Sequence, residues 1–263
     1  MYPGQCPPFL IDLEALVTGS SFSPPPHLAQ AATAIFGERL ALATEYAQRL
    51  ATDGVVRGLI GPREAERIWD RHLLNCAALG ELIESDASVV DVGSGAGLPG
   101  LVLAVARPDL SVTLVEPLAR RTAFLSEVVS DLGLDNVTVA RVRAEDAVGT
   151  LPAADVVTAR AVAPLDRLAA WCLPLARVGG RVLALKGATA ADEVEAHREA
   201  IARVGGGEPV IRVCGADLLP EPTTVVEVVR EREVLPASTK SGSKKAGSAR
   251  SARPRSGSRA PRR

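Results

Sequence analysis

From Ser88 onward, short apolar runs alternate with longer stretches in which apolar residues recur every three or four positions. The short runs predict strands over residues 88–92, 111–116, 137–142, 155–160, 181–185, 208–214 and 223–231. The longer stretches predict helices over residues 98–106, 118–132, 164–176 and 190–203. Alternating strands and helices indicate an α/β fold with a doubly wound, mostly parallel, seven-stranded sheet. The last two strands have no helix between them and are predicted to pair as an antiparallel hairpin at the sheet edge.

The part of the chain before Ser88 follows a helical pattern instead. One amphipathic stretch runs from about His27 to Thr52, and a second, from Arg63 to Ile83, predicts one helix or two short ones. We therefore predict a Pro- and Ser-rich flexible leader over 1–26, a helical cap over 27–86, an α/β domain over 87–235 and a basic tail over 236–263. The tail has almost no apolar residues and is predicted to be disordered.

The charge of the chain is divided between its body and its tail. The formal net charge is −1, yet nine of the 30 lysines and arginines lie in residues 236–263, which contain no acid. Residues 1–235 hold the other 21 basic residues and all 31 acids, so they carry about −10 and the tail carries +9. Such a tail is predicted to hold nucleic acid without sequence preference, with a merely solubilising segment as the alternative.

Composition narrows the class of protein. The chain has 263 residues, 47% of them hydrophobic, which suffices for a large buried core. The four cysteines form no CxxC pair, which disfavours a disulfide or zinc framework. No apolar run approaches the roughly 20 residues of a membrane span, and the pattern of a signal peptide is absent. We therefore expect a cytoplasmic protein without a bound metal.

The stretch Asp91-Val92-Gly93-Ser94-Gly95-Ala96-Gly97-Leu98-Pro99-Gly100 is the clearest functional motif. It lies between a predicted strand and a predicted helix, so its glycines bring backbone N–H groups close to a nucleotide-like ligand. Read from Gly95, it fits the GxGxxG fingerprint of dinucleotide sites. Read from Asp91, it fits the acid-x-Gly-x-Gly-x-Gly loop of class I S-adenosylmethionine-dependent methyltransferases.

The frame of the motif favours S-adenosylmethionine. In a dinucleotide site the first glycine follows the strand directly, but here that residue is Gly93, and Leu98 stands where the third glycine belongs. Asp91 would repel a pyrophosphate, whereas an acid suits a cationic sulfonium ligand. We therefore predict that Asp91, Gly93 and Gly95 belong to the cofactor site.

Two further acids are candidates for the same site. Glu116 ends the second predicted strand, where a carboxylate accepts hydrogen bonds from ribose hydroxyls. Glu145 follows the third strand. Its carboxylate and a backbone N–H of the neighbouring Ala144 are predicted to contact adenine. The alternative interpretation of Glu116 is a surface acid, and that of the segment Ala144-Glu145-Asp146 is a helix N-terminal cap.

Several segments together resemble one family, the ribosomal RNA small subunit methyltransferase G family, also called glucose-inhibited division protein B. Besides the glycine motif, these are Arg71-His72-Leu73, Arg121 with Phe124-Leu125, Arg143-Ala144-Glu145, Thr158-Ala159-Arg160-Ala161-Val162-Ala163 and Ala184-Leu185-Lys186-Gly187. The resemblance extends over residues 30–232. It implies the class I methyltransferase fold, which is Rossmann-like, and S-adenosyl-L-methionine as cofactor.

The resemblance also implies a substrate and a set of site residues. The family methylates N7 of a guanine in 16S ribosomal RNA, in the loop that helps form the decoding region. The implied cofactor contacts are Gly93, Leu98, Ala144, Glu145 and Arg160. The chain departs from the family at Val55–Ile60, where an Asn-Leu-Thr stretch is usual, and in its basic tail.

Methylation of guanine N7 sets few demands on catalytic residues. N7 has an in-plane lone pair and no proton to remove, so no catalytic base is predicted, and alignment of the reacting atoms is expected to dominate. The predicted contacts to the 16S rRNA or 30S subunit are Arg71, His72, Arg121, Arg143 and Lys186. For His72 the alternative is a buried, hydrogen-bonded histidine, and Arg120 is assigned to a solvated helix face.

Other functions remain open at this point. One is a methyltransferase of another RNA, a protein or a small molecule, and another is an RNA-binding protein without catalytic activity. An NAD-dependent oxidoreductase is the third. No stable protein partner and no membrane association are predicted.

Overall fold

The computed structural model describes residues 22–234. Most of the predicted leader, residues 1–21, and the whole of the predicted tail lie outside the described residues, as does Leu235. Within the described residues, no helix is both long enough and apolar enough to cross a membrane.

The chain before the sheet is helical, as predicted, but it is divided into more segments than the sequence indicates. Helices α1 (Ala29–Phe36) and α2 (Leu40–Arg49) are separated by a 3₁₀ turn at Gly37–Arg39, and a short 3₁₀ turn at Pro26–Leu28 precedes them. Helix α2 continues into a π-helical turn at Leu50–Gly54. The second stretch is assembled from a 3₁₀ turn (Pro62–Arg67), a π-helical segment (Ile68–Leu74), helix α3 (Asn75–Ala77) and a 3₁₀ turn (Ala78–Leu82).

Seven strands form one sheet, which confirms the predicted fold class. They are β1 (Ser88–Val92), β2 (Ser111–Val115), β3 (Val137–Ala140), β4 (Ala154–Arg160), β5 (Ala176–Lys186), β6 (Val210–Cys214) and β7 (Thr223–Val229). Their order is β3-β2-β1-β4-β5-β7-β6. The first five strands are parallel, whereas β7 is antiparallel to both β5 and β6. The predicted terminal hairpin is therefore present, with its second strand inserted beside β5.

The helices that connect the strands cover both faces of the sheet. They are α4 (Gly100–Ala106), α5 (Ala119–Asp131), α6 (Ala144–Ala147), α7 (Leu165–Cys172) and α8 (Ala190–Arg203). Helix α4 begins two residues later than predicted, because the residue before a proline disfavours helical backbone and Pro99 follows Leu98. Strand β5 begins five residues earlier than predicted, because its ladder extends through Gly179 and Gly180, which bond the backbone of Arg230.

Alternate residues of each central strand point to opposite faces and enter two separate hydrophobic clusters. Val89 and Leu183 belong to the cluster on one face, and Val90 and Val182 belong to the cluster on the other. The first cluster also contains the buried residues of the cap helices, among them Tyr46. The predicted cap therefore shares one hydrophobic core with α4 and this face of the sheet.

One buried hydrogen bond links the cap to the glycine motif. The hydroxyl of Tyr46, on α2, donates to the carbonyl of Ala96 at 2.7 Å, and Tyr46 is fully buried. A side chain at Gly97, whose φ is +98°, would place its Cβ 2.8 Å from the same hydroxyl. The close packing of α2 against the loop therefore requires glycine at this position.

We predict that Tyr46→Phe lowers the free energy of unfolding by about 1–2 kcal/mol, because it leaves a buried carbonyl without its donor. Urea denaturation would measure the change. As a control, Thr33→Ala removes an exposed hydroxyl bond to Ala29 and is expected to cost less than about 0.5 kcal/mol. Equal losses in the two variants would contradict the assigned role of Tyr46.

Candidate active site

A cavity of about 600 Å³ opens at the carboxyl ends of β1, β2 and β4. In a parallel α/β sheet this edge is where ligands bind, because strand order reverses there and leaves a crevice. Its walls come from the glycine motif, from the residues after β2, from α6 and from the cap. The predicted site residues among them are Gly93, Gly95, Leu98, Glu116, Ala144, Glu145, Arg160, His72, Arg121 and Arg143.

Asp91 lies beneath the loop and does not line this cavity. Its side chain is completely buried, and Oδ2 accepts a hydrogen bond from the backbone N–H of Gly100 at 3.1 Å. A Cβ at Gly100 would lie 2.7 Å from that oxygen, so the contact needs glycine there. The prediction that the Asp91 carboxylate faces a sulfonium therefore finds no support in the geometry, and its observed contact joins the loop to the start of α4.

Burial changes the protonation of Asp91. It raises the pKa of the carboxyl to about 7, although the hydrogen bond from Gly100 acts in the opposite direction. The second oxygen, Oδ1, has no hydrogen-bond partner among the described residues. A proton on this carboxyl relieves the cost of an unpaired buried charge, which is why the neutral form persists to such a high pH.

Glu116, by contrast, combines burial with a place in the cavity wall. It is only 1% exposed, and it follows β2 directly. Oε1 accepts from the N–H of Leu118 at 3.0 Å, and Oε2 accepts from the N–H of Gly95 at 3.1 Å. Arg121 lies 3.5 Å from Oε2. These contacts hold the carboxylate at the cavity wall, and its remaining lone pairs can accept hydroxyl donors.

A second cavity, of about 790 Å³, adjoins the first. Arg160 and Ala161 line both cavities, at the place where the two adjoin. Of the predicted RNA contacts, Arg71 and Lys186 line this second cavity, whereas His72, Arg121 and Arg143 line the first. Ala161 has a φ of +54°, which is uncommon for a residue with a side chain, and such strain is found preferentially at ligand sites.

Arg160 is held by the cap. Its Nη1 donates to the carbonyl of Arg71 at 3.3 Å and to Sγ of Cys76 at 3.0 Å. Its Nη2 lies 2.5 Å from Nδ1 of His72. All of these acceptors belong to the segment from Ile68 to Ala77, so the guanidinium fastens that segment to the end of β4.

His72 is neutral in this arrangement. Burial and the charge of Arg160 lower its pKa to about 4, and the donor from Arg160 assigns Nδ1 as an unprotonated acceptor. Its Nε2 lies 2.9 Å from Oε2 of Glu64, whose other oxygen pairs with Arg71 at 3.3 Å. The interpretation of His72 as a buried, hydrogen-bonded histidine therefore describes its contacts, although the side chain also borders the first cavity.

Several lining residues were not among the sequence candidates. They are Leu59, Ile60, Glu64, Val162 and Trp171. Leu59 and Ile60 belong to the segment that departs from the family pattern, so the motif comparison offered no signal for them. Val162 belongs to the family-like segment around Arg160, and that is the one sequence signal for it.

The residues of the first cavity fit S-adenosylmethionine. Apolar walls at Leu98, Leu118 and Val162 match an adenine ring, and the buried Glu116 carboxylate matches ribose hydroxyls. The backbone of the glycine motif lies open to the cavity at Gly93 and Gly95.

Comparison with known proteins identifies the family. Residues 39–217 match the model of GidB, rRNA small subunit methyltransferase G. The chain belongs to this family. The ribosomal RNA small subunit methyltransferase G of Salinispora tropica is 63% identical over 236 residues, which cover 88% of this chain and 98% of that protein. The proteins of the same name from Corynebacterium efficiens and Paenarthrobacter aurescens are 56% and 58% identical, over 77% and 76% of this chain and 88% and 92% of theirs.

Membership in the methyltransferase G family confirms three expectations from the sequence. The chain is a class I methyltransferase, its cofactor is S-adenosyl-L-methionine, and its substrate is a ribosomal RNA. The NAD-dependent oxidoreductase is thereby excluded. The individual contacts of the site residues stay predictions.

We predict that Asp91→Asn leaves the dissociation constant for S-adenosylhomocysteine within about threefold of wild type, because the side chain does not reach the cavity and the amide keeps an acceptor for Gly100. Isothermal titration calorimetry would measure it. Asp91→Ala, which removes the acceptor and leaves a void, is expected to lower the free energy of unfolding by about 2–4 kcal/mol. A tenfold or greater loss of affinity in Asp91→Asn would instead indicate direct contact with the ligand.

A second prediction concerns pH. Since the pKa of His72 is about 4 in the folded protein, the unfolded chain takes up the proton first as pH falls below 6.5. Relative to His72→Asn, wild type should therefore lose about 1–2 kcal/mol of unfolding free energy between pH 7 and pH 5. The raised pKa of Asp91 acts in the opposite direction, but it is common to both proteins. Urea denaturation at each pH tests this, and parallel profiles would contradict it.

Proposed function

We propose that this protein transfers a methyl group from S-adenosylmethionine to N7 of a guanine in 16S ribosomal RNA. The observation that carries the proposal beyond the family name is the pair of adjoining cavities. One has the residues of a nucleoside site, the other is large enough for a nucleobase, and Arg160 and Ala161 are common to both. A cofactor in the first cavity and a base in the second would meet beside these two residues, where N7 could reach the methyl group directly.

We assign the cofactor to the first cavity. Glu116 would accept hydrogen bonds from the ribose hydroxyls, because its carboxylate is held at the wall with lone pairs to spare. Ala144 and the exposed Glu145, at the start of α6, would contact the adenine amino edge. The loop backbone at Gly93 and Gly95, with Leu98 beside it, would cover the rest of the molecule.

The reaction needs alignment more than proton transfer. When bound, S-adenosylmethionine supplies a methyl group on a sulfonium, and transfer to N7 moves one positive charge onto the base without releasing a proton. His72 agrees with this, because its unprotonated Nδ1 already accepts from Arg160 and is not free to act as a base. What the residues contribute is a fixed geometry and exclusion of water.

The substrate RNA would approach the mouth of the second cavity. Arg71 is 54% exposed there, and Arg67 is nearby at 47% exposure, so both can reach phosphates despite their acidic partners. Arg121 and Arg143 border the first cavity and would contact RNA that covers it. Because residues 1–235 carry about −10, the +9 tail would supply additional nonspecific attraction to the RNA. We assign 16S rRNA or the 30S subunit, in the cytoplasm, as the substrate of this activity.

The decisive measurement is transfer of a labelled methyl group by the full chain to 30S subunits or free 16S rRNA from cells that lack the homologous gene. We expect one N7-methylguanine, located by cleavage at the modified base. Glu116→Ala should lower kcat/KM for the cofactor at least about tenfold, because the lost carboxylate leaves ribose hydroxyls without an acceptor.

Glu127→Ala serves as the matched control, because Glu127 is an exposed acid on α5 that pairs with Arg57. It should retain wild-type kcat/KM. If wild type labels neither RNA, or labels a position other than guanine N7, the proposed function is wrong.

A further inference from the structure

The second cavity contains a half-buried ion pair that lies outside the proposed cofactor site. Lys186, at the end of β5, is 10% exposed in its side chain, and its Nζ lies 2.7 Å from Oε2 of Glu193 on α8. Both residues line the cavity. Lys186 is the one lysine in residues 1–235, and at this position it was predicted from the sequence to contact RNA.

The ion pair leaves a defined set of hydrogen-bonding positions unused. The ammonium of Lys186 has three N–H donors, and two are directed at the carbonyl of Ala163, at 3.2 Å, and at Glu193. One donor remains. The Glu193 carboxylate is approached otherwise by the hydroxyl of Thr189 at 3.4 Å, so it retains several lone pairs. The cavity is therefore lined by one free N–H donor of Lys186 next to a carboxylate of Glu193 that can accept several hydrogen bonds.

This arrangement disfavours a phosphate as the partner of Lys186. A carboxylate 2.7 Å from the ammonium would repel a second anion at the same place. A neutral group that is acceptor on one side and donor on the other avoids that repulsion. The Watson–Crick edge of guanine has this pattern, since its O6 accepts while N1–H and the 2-amino group donate.

We propose that Glu193 and Lys186 read the Watson–Crick edge of the target guanine and so determine the base specificity of the methyltransferase. Glu193 accepts from N1–H and the 2-amino group, and Lys186 donates to O6. This inference rests on the proposed function, because it assigns the target base to the second cavity.

The same pair selects against adenine. Adenine has an amino donor in place of O6 and an acceptor at N1, so the ammonium would face a donor and the carboxylate would face an acceptor. A site with buried polar groups rejects such an analogue strongly, because its own groups are left unpaired. Recognition from this edge also leaves N7, on another edge of the purine, free to react.

The experiment compares two substrates that differ by one amino group. 30S subunits are reconstituted with 16S rRNA that carries either guanosine or inosine at the methylated position, and kcat/KM is measured with each. Inosine keeps N7, O6 and N1–H but lacks the 2-amino donor. Wild type should prefer guanosine about tenfold or more, because one charge-assisted hydrogen bond is lost with inosine.

Glu193→Gln should lower kcat/KM for guanosine by about tenfold to a hundredfold and reduce the preference over inosine to within about threefold. Glu193→Asp keeps the charge and should restore part of the preference. The matched control is Glu195→Gln on the same helix, since Glu195 is 81% exposed and should retain both the rate and the preference.

The outcomes separate this inference from the proposed function. A wild-type enzyme that methylates guanosine and inosine equally would overturn it, as would Glu193→Gln with an unchanged preference, because a residue that only neutralises Lys186 would slow both substrates alike. Failure of wild type to methylate guanosine subunits at N7 would instead overturn the proposed function. Thermal unfolding and S-adenosylhomocysteine affinity of each variant confirm that the fold and the first cavity are intact.

Discussion

The guanidinium of Arg160 is the contact on which the arrangement of the site depends. It extends from the end of β4, donates to three acceptors of the cap and forms part of both cavity walls. Its charge also acts on the pKa values of its neighbours. It helps burial to lower the pKa of His72, and it opposes the rise that burial causes in the pKa of Cys76 and of Asp91. Because Arg160 both bonds the cap and lines the two cavities, one side chain links the position of the cap to the place where the cavities adjoin.

The glycine motif is fixed in a comparable way, by contacts from three directions. Tyr46 reaches it from the cap at Ala96, Glu116 from the end of β2 at Gly95, and Asp91 from beneath at Gly100. A loop held at three backbone positions has little freedom left to lose when a ligand binds, which favours affinity. The two acids are equally buried, but only Glu116 borders the first cavity, so Asp91 supports the loop while Glu116 can support it and meet a ligand.

A reaction without a proton to remove makes rigidity the main catalytic resource. Alignment of two bound molecules depends on how firmly the residues where the cavities adjoin are held, and a small displacement reduces the rate steeply. The strained backbone at Ala161, between Arg160 and Val162, is consistent with a conformation imposed by its surroundings at the place where the cavities adjoin. Selection of the base is then separable from the chemistry, because the edge that is read is not the edge that reacts.

The sequence by itself determined the fold class and the position of the site along the chain. Apolar runs of strand length alternate with helical periods regardless of tertiary context, and a glycine motif after a strand has few structural meanings, so residues 88–231 and the cofactor were predictable. The side-chain contacts were not, because periodicity shows neither which way a carboxylate points nor which long-range partners meet. Tertiary structure decided that Asp91 bonds Gly100, that Lys186 pairs with Glu193, and that cap residues distant in sequence, such as His72, hold Arg160. The direction of a side chain is set only when the sheet, the cap and the loops pack together, and it determines which of two equally buried acids borders the cavity.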